Sequence, residues 1–571
     1  MSRPRMLAAT LVALLAVTAT PAITSAGPPG GPLGHFKHLV VIYEENHSFD
    51  NLYGNWGTVG GEAVVGRSDA TPADSVQVAQ DGTPYDCLLM SDVNLMSPPL
   101  SPDCSSAVFS FGTGKPSTAY HFGNAPYPID TYIPASAMTC PPLTNLFGFT
   151  FGLASGNGSP GGCTRDLVHR FYQEQYQLDG GRMDRYVTGS DSAGMTMGYY
   201  DTTKLPIYEY LHEHGAPHYV LADHFFAAAF GGSFLNHQYL IAAAAPLFPT
   251  GLHSVLDAAG FPNKTYPLYH APATVVDGQV TQACGVQTTV AGLACGDYAV
   301  NTVQPFRQPA GSGARLPLID DTTRAMNIGD EMTDAGVSWA WYAGGWDNAA
   351  GITTGPGWTN GSGPACGDPA SVAAIPDGTG VGGYPYCPNR SFQFHHQPFD
   401  YFARYAPGQP GRAHLQDEQD FLASVAAGTL PQVSFVKPLG VENEHPGYAS
   451  EPNGSDHLVD LIQAVESGPE AGNTLILVTY DEFGGQWDHV SPPGLGTAAA
   501  PGQADLFGPG TRIPALLIAR SLTDSTVDHT VYDTTSILRT IEAQYGLAPL
   551  ATRDAAVRDL GTAISAGRRG H

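Results

Sequence analysis

Residues 39–50, LVVIYEENHSFD, carry the clearest information about the architecture of this chain. The first five form an unbroken apolar run, which is typical of a strand buried on both faces of a parallel sheet. Carboxylates, an amide and an imidazole follow where that strand ends. Ligands of open α/β sheets bind at the carboxyl ends of the strands, so residues 44–50 predict a site for a hard cation and an anionic substrate. The alternative is a polar turn into a helix that Ser48 or Asp50 caps.

Similar apolar runs recur along the chain and indicate the rest of the sheet. We predict six core strands, at residues 37–43, 218–222, 337–342, 432–437, 474–480 and 513–519. Helical patterns alternate with them, over 455–467 with Gly468 after its end and over 533–545 with Gly546 after its end. This alternation predicts an α/β sandwich with a mostly parallel central sheet.

Three stretches interrupt this rhythm, near 55–165, 255–315 and 346–392. They are rich in Gly, Pro, Ser, Thr and Asn, and they hold all eight cysteines of the chain. We interpret them as loop insertions over one rim of the sheet, within a single domain that spans residues 27–571. We predict that four local disulfides pin these insertions, paired in sequence order. The predicted pairs are Cys87 with Cys104, Cys140 with Cys163, Cys284 with Cys295, and Cys366 with Cys387.

The first 26 residues have the pattern of a secretory signal. Arg3 and Arg5 give a basic start, residues 7–17 an apolar core, and residues 24–26 a small-residue cleavage site. A membrane anchor is the competing interpretation, but its apolar run would be short for crossing a bilayer. We therefore predict an exported protein, secreted or periplasmic, without an integral membrane segment.

The charge balance excludes some classes of partner. The formal net charge of −27 argues against nucleic-acid binding, which needs basic patches. It argues equally against electrostatic docking on anionic lipid. A phosphate-containing substrate would need a locally positive site, and a metal ion can provide one.

The strongest partner of the first strand end lies far downstream. Residues 474–480 form another apolar run, and Asp481 and Glu482 follow it directly. Like charges repel unless a cation or hydrogen bonds compensate, so fold stability alone does not favour two acids at a strand end. Two adjacent strands that end in acids would build a metal site at one rim; the alternative is a solvated loop after each strand. The predicted ligands are Glu45, Asn46, Asp481 and Glu482.

A candidate nucleophile lies in FGGSFLNH at residues 230–237. Two glycines before Ser233 let the backbone turn sharply and approach a ligand. A serine hydroxyl becomes a good nucleophile only when a base or a metal removes its proton, and Ser233 could instead be an ordinary turn residue. Imidazoles could hold phosphoryl oxygens and protonate a leaving alkoxide, although any one of them could be a surface or core histidine. The candidates are His169, His395, His396 and His445.

These motifs resemble a known family. ENHSFDNLYG at 45–54, TYDEFGGQWDHVSPPG at 479–494 and GTRIPALLI at 510–518 resemble the phosphoesterase family that contains bacterial phospholipases C. That family belongs to the alkaline-phosphatase-like superfamily, so the resemblance implies its three-layer sandwich. Other segments are more similar to its acid phosphatase branch. They are GGSFLNHQ, VHRFYQEQ, GVSWAWYAGGW, HHQPFDYFARY and NEHPGYAS.

The resemblance also implies roles for individual residues. A divalent metal ion of unknown identity would be bound by Glu45, Asn46, Asp481 and Glu482. Ser233 would contact that metal and form a phosphoseryl intermediate. The four histidines would line the phosphate pocket, and one of them would act as general acid. His489, beside Asp488, would support the site or bind a second metal.

The chain departs from the family pattern at several positions. Phospholipases C commonly carry Thr-x-Pro-Asn-Arg where residues 233–237 are Ser-Phe-Leu-Asn-His. Glu482 stands where acid phosphatases often have Asp, and His47 where many members have Arg. The first departure favours a phosphomonoesterase of acid phosphatase type. The alternatives are a phospholipase C that cleaves phospholipid phosphodiesters and, more remotely, an inactive phosphate-binding protein.

Overall fold

A computed structural model describes residues 31–89, 121–131, 166–190, 193–246, 326–358, 392–447 and 449–568, together with residues 300, 309 and 319. Within these residues the centre of the molecule is an eight-stranded sheet with the order β4-β3-β5-β1-β6-β7-β2-β8. All of its strands run parallel except β7, which is antiparallel to both neighbours. The strands are β1 (His38–Glu44), β2 (Tyr219–Ala222), β3 (Trp339–Ala343), β4 (Leu415–Asp417), β5 (Val433–Lys437), β6 (Thr474–Tyr480), β7 (Ala515–Ile518) and β8 (Thr526–Asp528).

Helices connect most of these strands. They are α1 (Phe49–Leu52), α2 (Pro72–Ser75), α3 (Phe171–Leu178), α4 (Pro206–His212), α5 (Ser233–Ala242), α6 (Ile328–Asp334), α7 (Trp346–Ala350), α8 (Glu418–Ala427), α9 (Glu451–Ser467), α10 (Thr535–Tyr545), α11 (Thr552–Ala556) and α12 (Gly561–Ala566). Four two-stranded sheets lie outside the central one in the described residues. They pair Thr58–Val59 with Glu62–Ala63, Leu88–Leu89 with His121–Phe122, Tyr127–Pro128 with Gly198–Tyr199, and Phe225–Phe226 with Tyr532–Asp533.

The six predicted strands are confirmed, and the sheet is mixed but mostly parallel. Every residue of β1 and of β6 is buried, so both faces of the sheet are covered, as a layered α/β arrangement requires. Two strands escaped prediction, β4 and β8, because three residues are too few to show a pattern. Both predicted helices are present, but α9 begins at Glu451, where Ser450 caps it by accepting the Asn453 N–H at 3.2 Å.

The register of the central strands positions the predicted site. Strand β1 lies between β5 and β6, with Ile42 level with Val436 and Glu44 level with Tyr480. These three strands are parallel and end together. The residues that follow them therefore meet at one edge of the sheet.

Several predictions concern residues outside the described set. The proposed signal at 1–26 and much of the three insertions fall there, so the single-domain boundaries remain predictions. Cys87 is disulfide-bonded, but the other seven cysteines are outside the described residues and their pairing remains a prediction. No helix among the described residues is long and apolar enough to span a bilayer.

An ion pair between α8 and α9 makes stability depend on pH. His457 Nε2 lies 3.1 Å from Glu418 Oε1, at the start of α8. Burial would lower the pKa of His457, but Glu418 and then Glu442 outweigh it and raise the pKa to about 9. Because this value exceeds that of the unfolded chain, the contribution is complete below about pH 6.5 and is lost as pH rises through 9.

We expect His457→Gln to remove this pH dependence. The wild type should lose about 3 kcal/mol more unfolding free energy than the variant between pH 6 and pH 10. Urea unfolding of both proteins across this range measures the difference. Parallel pH profiles for the two proteins would contradict the proposed pair.

Candidate active site

The carboxylate of Glu45 is the centre of the strand-end cluster. It is fully buried, and its Oε1 lies 2.5 Å from Lys437 Nζ and 2.8 Å from His396 Nε2. Its other oxygen, Oε2, faces Ser233 Oγ at 3.4 Å. Burial alone would raise the pKa of Glu45, but Lys437 and His396 hold it well below the ordinary value. Glu45 is therefore a permanent anion with one oxygen neutralised and the other directed at the serine.

Asn46 reaches this centre through an unusual backbone conformation. Its φ of 61° is left-handed, which is uncommon for residues other than glycine and often marks a functional constraint. The Asn46 N–H donates to Asp481 Oδ1 at 3.0 Å, which ties the two strand ends together. Gly484 makes this approach feasible, because a Cβ there would lie 2.2 Å from the Asn46 carbonyl oxygen. The glycine in the second motif thus accommodates the first motif.

Ser233 is the first residue of α5, with Gly232 as the capping position. Its Oγ lies 3.5 Å from Asn46 Oδ1 as well as beside Glu45. The first N–H groups of a helix lack partners within it and favour negative charge. Gly231, at φ 90°, packs against the backbone of Phe171, and its N–H donates to the buried carboxylate of Glu174. The serine is thus held at a helix N-terminus, a position that suits an oxyanion.

Asp481 and Glu482 complete the cluster and are poorly compensated. Burial first, and then the charge of Glu45, raise the pKa of Asp481 to about 7. Burial and the neighbouring Asp481 raise the pKa of Glu482 well above its ordinary value. Asp481 Oδ2 and Glu482 Oε1 are buried and accept no hydrogen bond from the described residues. All four predicted metal ligands are buried, so these strand ends are not solvated loops.

These features fit a divalent cation. Three acidic side chains converge beside one fixed positive charge on Lys437, and two carboxylate oxygens have no hydrogen-bond donor among the described residues. The available oxygens are Glu45 Oε2, Asn46 Oδ1, Ser233 Oγ and the free atoms of Asp481 and Glu482, a donor set that suits a hard ion. A different grouping, Glu45 with His237 and His396, brings three ligand atoms within 4.8 Å of one another. The donor atoms do not identify the ion.

Two of the predicted histidines face the asparagine with a fixed tautomer. His445 Nδ1 lies 2.7 Å from the Pro446 carbonyl and His169 Nδ1 lies 2.5 Å from the Leu167 carbonyl. Each Nδ1 therefore carries the proton, and each Nε2 is presented to Asn46 Nδ2, at 2.8 Å and 3.5 Å respectively. The Asp166 carboxylate lies 3.4 Å from His169 Nδ1 and helps to orient the ring.

The two adjacent histidines differ in position. His396 contacts Glu45 directly, and burial lowers its pKa to about 4. His395 reaches the cluster through other rings, with its centroid 4.5 Å from that of His396 and 5.4 Å from that of His237. Burial and then His396 lower the pKa of His395 well below its ordinary value. Both imidazoles are therefore neutral around neutral pH.

Sequence reasoning missed two members of the cluster. Lys437, the last residue of β5, donates to the carbonyl oxygens of Tyr43 and Glu44 at 2.8 and 3.1 Å, and these bonds place its charge on Glu45. His237 lies one turn after Ser233, donates to the Ser233 carbonyl at 2.8 Å, and stacks on His396. A lysine that ends an apolar strand is the one signal that could have found Lys437. His237 was visible in the nucleophile motif but had no assigned partner.

The remaining polar residues of the first motif support it. Ser48 caps α1 by accepting the Asn51 N–H at 3.2 Å, so the capping alternative is also correct. His47 is fully buried, with Nδ1 2.5 Å from Asn51 Oδ1 and Nε2 2.9 Å from the Glu444 carbonyl. Burial lowers its pKa to about 4. His47 is a neutral core histidine that holds the motif in place.

Arg512 joins the outer acids of the two motifs. Its Nη2 lies 3.0 Å from Asp50 Oδ1, and its Nε lies 3.1 Å from Asp488 Oδ1. His489 Nδ1 is 2.5 Å from Asp50 Oδ2. Asp50, Asp488 and His489 have ligand atoms close enough to hold a metal, but both carboxylates are already paired with the Arg512 guanidinium. The contacts of His489 therefore favour a supporting role over a second metal site.

Removing Arg512 should destabilise the whole protein. Arg512→Met leaves two buried carboxylates without their cation, and we expect a loss of about 3–5 kcal/mol of unfolding free energy. Arg520→Met is the matched control, because the Arg520 side chain is 56% exposed in its pair with Glu466 and should cost less than about 1 kcal/mol. Urea unfolding compares the two variants. Equal losses would contradict the buried network.

Comparison with known proteins assigns the family. A model described as the Phosphoesterase family matches residues 143–548, more than half of the chain. This chain belongs to that family. Phospholipase C A of Mycobacterium tuberculosis is 24% identical over 567 residues, covering 95% of this chain and 79% of the relative. The non-hemolytic phospholipase C of Burkholderia pseudomallei is 30% identical over 177 residues, or 25% of each chain.

Family membership makes the chain a phosphoesterase, a hydrolase that acts on ester bonds, as the motifs predict. These relatives are phospholipases C, so the predicted acid phosphatase branch is not supported by them. A protein in the alkaline phosphatase superfamily from Vibrio parahaemolyticus overlays with a TM-score of 0.23 at 12% identity, over 45% of this chain and 55% of that one. A TM-score this low supports no structural argument, so the alkaline-phosphatase-like layering remains an expectation.

Proposed function

We propose that this phosphoesterase cleaves the phosphodiester of phospholipids in the manner of a phospholipase C, with Ser233 as nucleophile. The observation that supports this proposal most directly is the position of Ser233 Oγ at the N-terminus of α5. It lies 3.4 Å from Glu45 Oε2 and 3.5 Å from Asn46 Oδ1. The similarity to phospholipases C along 95% of the chain supports the lipid substrate. This reverses the order of preference drawn from the sequence motifs.

The first step transfers the phosphoryl group to the serine. Ser233 Oγ attacks phosphorus and its proton passes to the carboxylate of Asp481, the acid of the cluster whose pKa is raised to about 7. The bond from phosphorus to the diacylglycerol oxygen breaks, and a protonated imidazole delivers a proton to the departing oxygen. We assign this role to His169, because its Nδ1 is anchored by Leu167 and Asp166 and its Nε2 faces the site.

The second step regenerates the enzyme. Water attacks the same phosphorus while His169, now neutral, takes up its proton. The bond from phosphorus to Ser233 Oγ breaks, the carboxylate proton returns to the serine, and the phosphorylated headgroup leaves. A divalent cation held by Glu45, Asn46, Asp481 and Glu482 would neutralise phosphoryl oxygens and favour the ionised serine. The N–H groups at the start of α5 would add to that stabilisation.

The charge of the protein narrows the lipid class. With a net charge of −27, the protein is not attracted electrostatically to an anionic membrane surface. A lipid with a zwitterionic headgroup, such as phosphatidylcholine, is therefore a better substrate candidate than an anionic lipid. We also propose, from residues 1–26, that the mature chain is exported and meets such lipids outside the cytoplasm.

A phosphomonoesterase is the second candidate. The observation in its favour is the motif at 231–238, where Ser233 and His237 replace the threonine and arginine common in phospholipases C. His237 is built into the site through its contacts with Ser233 and His396. A monoesterase would use the same nucleophile and release inorganic phosphate.

A substrate panel separates these functions. We expect purified enzyme to release diacylglycerol and phosphocholine from phosphatidylcholine, with kcat/KM above that for p-nitrophenyl phosphate. Phosphatidylglycerol, presented in the same micelles, tests the preference for a zwitterionic headgroup. Activity confined to p-nitrophenyl phosphate would overturn the lipid assignment and favour the monoesterase. Binding of phosphate without turnover of any substrate would indicate an inactive scaffold.

A further inference from the structure

Two neighbouring strands far along the sheet from Ser233 end in the same dipeptide. Strand β2 is followed by Asp223 and His224, and β8 ends in Asp528 with His529 after it. These strands are parallel, and Ala222 is level with Asp528. Asp223 is therefore level with His529, and both histidines emerge at the same end of the sheet. Nothing in the phosphoesterase mechanism uses this arrangement.

The three side chains converge on one carboxylate. His224 Nδ1 lies 2.7 Å from Asp223 Oδ1, and His529 Nδ1 lies 2.9 Å from Asp223 Oδ2. The two imidazoles thus approach one carboxylate from different strands. One nitrogen from each histidine and one oxygen from Asp223 all lie within 4.8 Å of one another. Donor atoms in a tetrahedral zinc centre are separated by roughly 3.3 Å, so small side-chain movements would fit an ion between them.

Asp223 has the properties of an anionic ligand. Its side chain is fully buried, and Oδ2 also accepts the Val65 N–H at 2.8 Å. The other carboxylate nearby, Asp528, is occupied by the hydroxyl of Tyr532 at 2.7 Å and the N–H of Thr530 at 3.0 Å. The cluster therefore offers one oxygen ligand and two nitrogen ligands.

We propose that Asp223, His224 and His529 bind a divalent transition-metal ion of the zinc type. Two imidazoles and a carboxylate suit Zn²⁺, Co²⁺ or Ni²⁺ better than Mg²⁺ or Ca²⁺, which prefer oxygen ligands. The His529 side chain is 50% exposed and lines a cavity of about 620 Å³, so an ion and a water ligand can enter from solvent. The site is separate from the oxygen-rich cluster around Ser233.

Such an ion would fasten the edge of the sheet. It would cross-link β8, the outermost strand, to β2 through side chains at their ends. The Asp223 carbonyl also accepts a hydrogen bond from Arg512 Nη1 at 2.9 Å, so the cross-link would extend to the network that holds both catalytic motifs. Because only the folded chain presents these ligands together, the bound metal should stabilise the protein.

Metal stoichiometry tests this site independently of catalysis. The full chain is dialysed against a chelator, re-equilibrated with micromolar free Zn²⁺, and its bound zinc is measured by mass spectrometry. We expect the double variant His224→Ala/His529→Ala to bind about one ion per chain fewer than the wild type. His218→Ala is the matched control, because this exposed histidine precedes the same strand at its opposite end and should retain full stoichiometry.

Two further measurements distinguish loss of the metal site from loss of the fold and from loss of catalysis. Circular dichroism checks that the double variant is folded, and Zn²⁺ should raise the melting temperature of the chelated wild type and of His218→Ala more than that of the double variant. Phosphoester hydrolysis should persist in the double variant, which separates this site from the catalytic cluster. Equal zinc content and equal thermal shifts in all three proteins would overturn the proposal.

Discussion

Ser233→Ala should remove phosphoester hydrolysis while leaving the protein folded. The substitution deletes the only atom that we assign as nucleophile, and loss of such an atom lowers kcat by at least about 10⁴-fold in enzymes of this kind. The fold should tolerate it, because Ser233 is the first residue of α5 and the hydrogen bonds of its Oγ to Glu45 and Asn46 are long, at 3.4 and 3.5 Å. Steady-state kinetics on phosphatidylcholine and p-nitrophenyl phosphate, with circular dichroism alongside, measure both effects.

The matched control is Ser233→Thr, which keeps a hydroxyl at the same atom. We expect this variant to retain a measurable part of the activity, because threonine occupies the corresponding position in many phospholipases C. Activity near the wild-type level in the alanine variant would contradict the nucleophile assignment. Equal inactivity of the alanine and threonine variants would leave the hydroxyl without a demonstrated role, and would count against it.

Asp481→Asn should also reduce activity by orders of magnitude. The amide removes one of the three carboxylates of the cluster and weakens binding of a divalent cation, for which we expect a loss of about 10²–10⁴-fold in kcat/KM. The volume change is negligible, and burial already holds the pKa of Asp481 near 7, so the fold should be little affected. The exposed Asp81, in Asp81→Asn, is the matched control and should retain full activity.

Chelation provides the companion measurement. Dialysis of the wild type against EDTA should abolish activity, and adding back single divalent ions should restore it and identify the ion. The Asp481→Asn variant should need a higher ion concentration for the same fractional recovery. Full activity after chelation, together with full activity in Asp481→Asn, would show that no metal acts at this site.

The sequence predicted the sheet well because buried parallel strands leave a simple trace. Runs such as 39–43 and 474–480 are apolar without alternation, which only burial on both faces explains. Parallel strands also end together, so the acids after β1 and β6 could be expected to meet. The short strands β4 and β8 leave no such trace, since tertiary pairing rather than residue pattern creates them.

The electrostatic partners of the acidic site residues could not be predicted from the sequence. Lys437 pairs with Glu45 because β5 and β1 are adjacent in the sheet, and nothing local in either segment specifies that pairing. Arg512 similarly joins Asp50 to Asp488 across distant parts of the chain. The left-handed conformation of Asn46 depends on Gly484, which lies in the other motif. Such features follow from topology, so they become visible only in three dimensions.

The choice of substrate shows a different limit. The motif at 231–238 pointed towards acid phosphatases because it records the immediate surroundings of the nucleophile. Similarity along the whole chain points instead to phospholipases C. The substrate panel on phosphatidylcholine and p-nitrophenyl phosphate separates the two.

The covalent route through Ser233 makes a prediction about stereochemistry. Each in-line displacement inverts the configuration at phosphorus, so two successive displacements restore it. A phosphorothioate analogue of the lipid that is chiral at phosphorus, hydrolysed in oxygen-18 water, reports the course of the reaction. We predict net retention of configuration. Net inversion would show that water attacks the substrate directly, and would contradict the phosphoseryl intermediate.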